Sequence, residues 1–122
     1  MMLQRITRIL LFILPLLLGS TYVNAAGFYV TGHIGQFRYH STARTDVWAG
    51  HSWFYLLGAD LALYKKHCSL HANKALIAIY NKDNFAWTMV LNAKNQKSRV
   101  RVYIETSRKI GGHCTVEMID LL

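Results

Sequence analysis

Asn81–Glu105, NKDNFAWTMVLNAKNQKSRVRVYIE, decides the fold, because its hydrophobic period changes once along its length. Asn81-Lys82-Asp83-Asn84 supplies N-cap candidates, and Phe85 to Gln96 holds no glycine or proline. Phe85, Ala86, Met89, Val90 and Ala93 fall on one side at helical spacing, and Trp87 and Leu91 widen that apolar arc beyond a single stripe. A helix apolar over so wide an arc is either deeply buried or shared with a partner. Trp87 and Leu91 are therefore the candidate oligomer-contact residues. Past Lys97 the period becomes two: Val100, Val102 and Ile104 face one way, Arg99, Arg101, Tyr103 and Glu105 the other, as in a half-buried strand.

Working outward, Phe28 to His40 reads as a long first strand, with Gly32 and Gly35 marking a bulge or bend inside it. Ser41 to Gly50 is a polar loop. His51 to Leu63 is a second strand, with Trp53, Tyr55 and Leu57 on one face and Phe54, Leu56 and Gly58 on the other. Tyr64 to Asn73 is a basic loop holding Cys68, and Lys74 to Tyr80 is a third strand. Downstream, Thr106 to Gly112 is a basic, glycine-ending loop, and Cys114 to Leu122 is the last strand. In it Val116 and Met118 share a face, while Ile119 and Leu121 break the register. The expected fold is thus mostly β with one helix. Five strands with a helix between strands 3 and 4 is the element order of the OB-fold, a partly open Greek-key barrel. An unrelated small α+β sandwich with the same order is the competing solution.

The compartment is read from the N-terminus. Arg5 and Arg8 precede a run without polar side chains, Ile9 to Leu18, and Val23-Asn24-Ala25 offers small residues at −3 and −1. That run is too short to span a bilayer as a helix, so residues 1–25 are expected to be a cleavable secretory signal. Residues 26–122 then form one exported domain, secreted or periplasmic, with no stable membrane span. The chain carries +8; without Arg5 and Arg8 it keeps 12 basic and 6 acidic side chains, a net of +6. Such a surplus favours anionic partners or simply keeps a small domain soluble. Export makes a disulfide the default for the two cysteines, Cys68 and Cys114. The rival is a metal site around His67-Cys68-Ser69-Leu70-His71 and His113-Cys114, though structural zinc sites take four ligands paired on two arms. No metal or other cofactor is expected.

Trp87 to Ala93 (WTMVLNA), Ser98 to Ile104 (SRVRVYI) and Gly112 to Val116 (GHCTV), with Cys68 upstream and the leader, carry a family resemblance. Over roughly residues 50–122 the chain resembles the OB-fold B subunits of pentameric bacterial toxins, of the pertussis and subtilase-cytotoxin kind, and their small exported relatives. The resemblance implies a non-catalytic binding or assembly subunit. It also implies a homo-oligomer (a pentamer), a host or cell-surface glycan as ligand, and an unidentified catalytic partner subunit. No sugar-contacting motif is carried over, so the candidate site comes from layout.

OB barrels bind oligosaccharides or oligonucleotides on the face of strands two and three, flanked by the loops after strands one and four. Those loops here are Ser41–Gly50 and Thr106–Gly112, which offer Trp48, His51 just beyond it, Arg108 and Lys109 as ligand-binding candidates. An indole stacks on a sugar face or a base, and nearby cations pair with acidic groups. The set suits a sialylated or otherwise anionic glycan; alternatively Trp48 closes the core and the cations are only solvated. Nucleic acid or another anionic polymer is the second class, opposed by export. A purely structural periplasmic module is the third. No enzyme signature is present: Gly32-His33-Ile34-Gly35 lies within a strand, there is no G-x-S-x-G or H-E-x-x-H, and the six acidic residues form no catalytic pair.

Overall fold

A computed structural model describes residues 27–122; the leader assigned to residues 1–25 lies outside them. The elements run β1 (Phe28–Arg38), β2 (His51–Leu57), α1 (Leu61–Lys65), β3 (Leu70–His71), β4 (Lys74–Tyr80), α2 (Asn84–Gln96), β5 (Arg99–Ile110) and β6 (His113–Leu121). Half of the described residues lie in strands, and all six strands belong to one sheet. The mostly β reading stands, and the helix read from Asn81–Glu105 is found almost to the residue. Two helices replace the one expected, and six strands the five.

The glycines of β1 do what their place in a strand pattern suggests. Phe28–His33 pair with β5, and His33–Arg38 pair with β2, so one strand serves two neighbours. Between Ile34 and Phe37 the register slips by one residue at Gly35-Gln36, a bulge that bends the strand. β2 runs antiparallel to β4 from His51↔Tyr80 to Leu56↔Ala75. β4 meets β6 in parallel at Ala78↔Thr115, and β6 runs antiparallel to β5. The pairings β1–β2–β4–β6–β5–β1 therefore return to the strand they started from. β3 is a two-residue addition to β4, joined through Ala72 and Asn73 in left-handed conformation.

Three expectations are corrected. The second strand does not reach Leu63: Gly58 (φ +75°) turns the chain, and the Asp60 carboxylate caps α1 by accepting from Leu63 N at 3.1 Å. The fourth strand of the sequence reading does not stop at Glu105. Thr106–Arg108 bulge out between Glu105↔Thr115 and Lys109↔Cys114, pairing resumes, and Gly111-Gly112 (φ +56° and +83°) close a two-residue hairpin. Val116 and Met118 do not share a face, because Tyr103 pairs with Met118 and Ile104 with Val116, leaving Glu117 as an extra residue. Val116 and Ile119 pack on the core, whereas Met118 stays 47 % exposed.

The main core joins Val30, Ile34, Phe54, Leu56, Ile77, Ile79, Val100, Val102 and Ile104 to Val90 and Ala93 of α2. Alternation along β2 and β4 puts Trp53, Tyr55 and Leu76 on the opposite face, where Trp48 packs against them as a second cluster. Of the wide arc of α2 only Val90 and Ala93 are fully buried. Trp87 is half-buried, its ring 6.0 Å edge-on from Phe37; Leu91 stays 40 % and Phe85 86 % exposed. Burying a side chain such as Phe85 is worth about 1.5–3 kcal/mol, which the isolated domain forgoes. Cys68 and Cys114 form a disulfide with Cα atoms 5.5 Å apart, tying the chain after α1 to the start of β6. Both sulfurs are thereby withdrawn from metal binding.

Candidate binding cleft on the second face of β2 and β4

The loop before β2 is built from short polar links that aim Trp48. Asp46 accepts from Trp48 N at 3.0 Å and takes Arg44 in a bidentate ion pair. That guanidinium hydrogen bond holds the Asp46 carboxyl well down, at about 2. His51 N closes the turn on the Trp48 carbonyl at 3.0 Å. Behind the loop lies a buried polar knot. Ser52, fully buried, accepts from His40 N at 2.9 Å and donates to Asn81, whose amide donates to the His40 carbonyl at 2.6 Å. These bonds join the end of β1, the start of β2 and the end of β4, so His40 is fixed beside Trp48.

The result is a cleft of about 230 Å³. Buried Trp53 and half-buried Trp48 both line it, the Trp48 ring 5.3 Å from His40 and 6.0 Å from His113. His71 stacks on Tyr55 (22° between planes), shares a 2.6 Å hydrogen bond with its hydroxyl, and meets His113 edge-on at 6.2 Å. Cations lie along the aromatics: Arg38 5.1 Å over Trp53, and Lys74 4.9 Å over Tyr55. Arg44 completes the lining. Its pair with Asp46 is exposed, so an incoming anion can compete for it at small cost.

Two of the imidazoles, His40 and His113, are biased toward the neutral form. Burial, then the Arg44 charge, lowers the His40 pKa below its ordinary value, with the hydrogen bond to the His51 carbonyl acting the other way. Burial also lowers that of His113, opposed by its bond to the Ser69 carbonyl and aided by His71. In both, Nδ1 donates to a carbonyl (3.2 and 2.9 Å), which leaves Nε2 to accept from a ligand hydroxyl. Among the described residues, no three His, Cys, Asp or Glu side chains are grouped to hold a metal ion.

Of the four residues picked from the sequence, only Trp48 lines this cleft. His51 sits at the start of β2 with its ring 4.4 Å from Tyr80, and its Nδ1 donates to the Ala49 carbonyl at 3.0 Å. Arg108 lies in the β5 bulge and pairs with Glu117 of β6. Lys109 borders a separate hollow with Lys65 and Lys66. Sequence reasoning missed Arg38, His40, Arg44, Trp53, His71 and His113. A signal existed for two: His71 follows Cys68 by three residues and His113 precedes Cys114 by one, so pairing the cysteines brings those histidines together.

Comparison with protein-family models, curated proteins and solved structures gave no match to this chain. No helix among the described residues is long and apolar enough to cross a membrane. The disulfide fits an oxidising, non-cytoplasmic environment.

Proposed function

We propose that the chain is an exported, non-catalytic binding module on a small OB-type barrel, taking an acidic glycan in the cleft at Trp48. The barrel reading is supported by the circuit of strand pairings, the bent β1 shared between two neighbours, and α2 lying between β4 and β5. The glycan reading rests on one observation. Two indoles, three imidazoles and two guanidinium groups line a cleft of about 230 Å³. That volume lies under the roughly 300–1,000 Å³ of drug-sized pockets and suits a single sugar ring. The CH face of the sugar stacks on Trp48, its hydroxyls meet imidazole nitrogens, and its carboxylate faces Arg38 and Arg44.

Assembly is a second part of the same reading, favoured by the apolar groove of about 430 Å³ between the start of α2 and β6, which includes Phe85 and Met118. A homo-oligomer of the toxin-B-subunit kind, with or without a catalytic partner, would cover it. Titrating sialyllactose while following tryptophan fluorescence, alongside light scattering, separates the two parts. Trp48→Ala is expected to cost roughly 2 kcal/mol, about thirtyfold in Kd, with the particle mass unchanged. Phe85→Asp, in that groove and 86 % exposed, is expected to lower the mass and leave Kd alone, and Leu91→Asp to do the same if the contact extends along α2. Binding that survives Trp48→Ala sinks the cleft as the glycan site.

A further inference from the structure

Beside the cleft, on the other side of one seam, lies a second depression with a different chemistry. Ser69 N donates to the Gly112 carbonyl at 3.1 Å, and His113 Nδ1 donates to the Ser69 carbonyl at 2.9 Å. His71 and His113, on one side of that seam, line the aromatic cleft. Leu70 and Gly112, their immediate chain neighbours, line an open hollow of about 610 Å³. Its charged rim is Lys65, Lys66 and Lys109, brought together from α1, the residue after it, and the end of β5.

These lysines face no carboxylate. Every acidic side chain among the described residues is engaged elsewhere. Asp46, Asp120 and Glu117 pair with Arg44, Arg101 and Arg108. Asp60 and Asp83 cap α1 and α2, and Glu105 accepts from Ser107 N. Three lysines from two segments, the end of α1 and the end of β5, thus line one hollow whose lining holds no carboxylate. Such an arrangement concentrates anions locally. A ligand bearing a single charge is satisfied in the cleft by Arg38 and Arg44 and makes no use of the hollow.

Resting on the acidic-glycan reading above, we propose that the ligand is a linear, repeatedly charged anionic glycan whose chain crosses the Ser69–Gly112 seam, one ring in the cleft and the following charged units among Lys65, Lys66 and Lys109. A nucleic-acid strand likewise offers repeated negative charge and stackable rings. The disulfide points to an oxidising compartment, which favours the glycan.

The test measures Kd for a heparin-derived disaccharide and an octasaccharide, with oligothymidylate of matched charge as the rival. The octasaccharide is expected to bind at least about tenfold tighter than the disaccharide, and its affinity to fall steeply with salt. Replacing all three residues, Lys65→Ala, Lys66→Ala and Lys109→Ala, should remove that length gain and leave the disaccharide within about twofold. Lys→Arg at the same positions should restore it. The three side chains are exposed, so the fold is expected to tolerate both sets. Equal affinity for the two lengths, or a length gain that survives the alanine set, overturns this proposal while leaving the cleft reading intact. Tighter binding of oligothymidylate than of the octasaccharide overturns it in favour of nucleic acid. Binding of no glycan at all overturns the cleft reading and this proposal with it.

Discussion

His40 and His113 are where a single side chain links the stability of the fold to the proposed cleft. Both are held below the ordinary histidine pKa of 6.5, first by burial, so the folded state resists protonation that the unfolded chain accepts. The unfolded state therefore binds more protons once pH drops below 6.5. Stability is complete above that value and declines as pH falls through the lowered folded-state values. An anionic ligand acts with the opposite sign: protonated His40 and His113 add positive charge to the cleft, so affinity rises over the same window. Thermal midpoints measured between pH 8 and 5 should fall while Kd for an acidic sugar tightens, and His113→Gln should flatten both trends. Midpoints that stay level through that range would remove the histidines from the argument. In the sequence, pairing Cys68 with Cys114 brings His71 and His113 together, but nothing local says that His40 joins them, because that grouping depends on contacts far apart in the chain. Trp48 was legible because an indole in a polar loop stands out locally. Arg38 and His40 were not, because nothing in a strand's end residues says what folds over them.

At the level of elements, α2, β4 and the alternation of β5 were readable because each is set by local period and caps. Of the N-cap candidates Asn81-Lys82-Asp83-Asn84, it is Asp83 whose carboxylate accepts from Ala86 N, at 3.0 Å. What period alone missed was punctuation. Gly58 followed by Asp60 signals a stop and a new helix, and Gly111-Gly112 signals a two-residue hairpin, yet apolar residues on both sides of Gly58 masked the first. The β1 glycines were recognised, and their roles differ. A Cβ on Gly32 would sit 2.4 Å from the Leu57 carbonyl oxygen, a backbone atom held in the β1–β2 ladder. At Gly35 the nearest atoms, from 2.9 Å, belong to the side chain of Leu57, which is 43 % exposed and free to swing away. Gly32→Ala is therefore expected to cost about 1–3 kcal/mol by overpacking. Gly35→Ala should cost clearly less, in part offset by the lower entropy of the unfolded chain. Urea melts of the two variants check this, and equal losses would mean that the bulge, not the close approach at Gly32, dictates glycine.

For the molecule as a whole, the long-range features were accessible only through chemistry that does not depend on period. Element order suggested which strands exist, and the glycines of β1 suggested a bent strand able to serve two neighbours; that β4 touches β6 follows from packing that no local window contains. The cysteines are the exception, since two of them in an oxidising compartment leave one pairing, and the bridge is present. Its consequences reach from stability to the site. Closing a separation of 46 residues is worth ~4 kcal/mol by loop entropy, against a typical net stability of about 5–15 kcal/mol. The same bond lies beside the approach of Ser69 to Gly112 and of His71 to His113, the seam between cleft and hollow. Replacing Cys68 and Cys114 together by serine should then act twice. The thermal midpoint is expected to fall by something on the order of 20 °C for a domain of this size. At a temperature where that variant is still folded, octasaccharide affinity should fall more than disaccharide affinity, because the longer ligand needs both sides of the seam in register. A variant that melts much lower but keeps the full length dependence would show that β3 and β6 hold the seam without the bridge, leaving the disulfide a purely stabilising role.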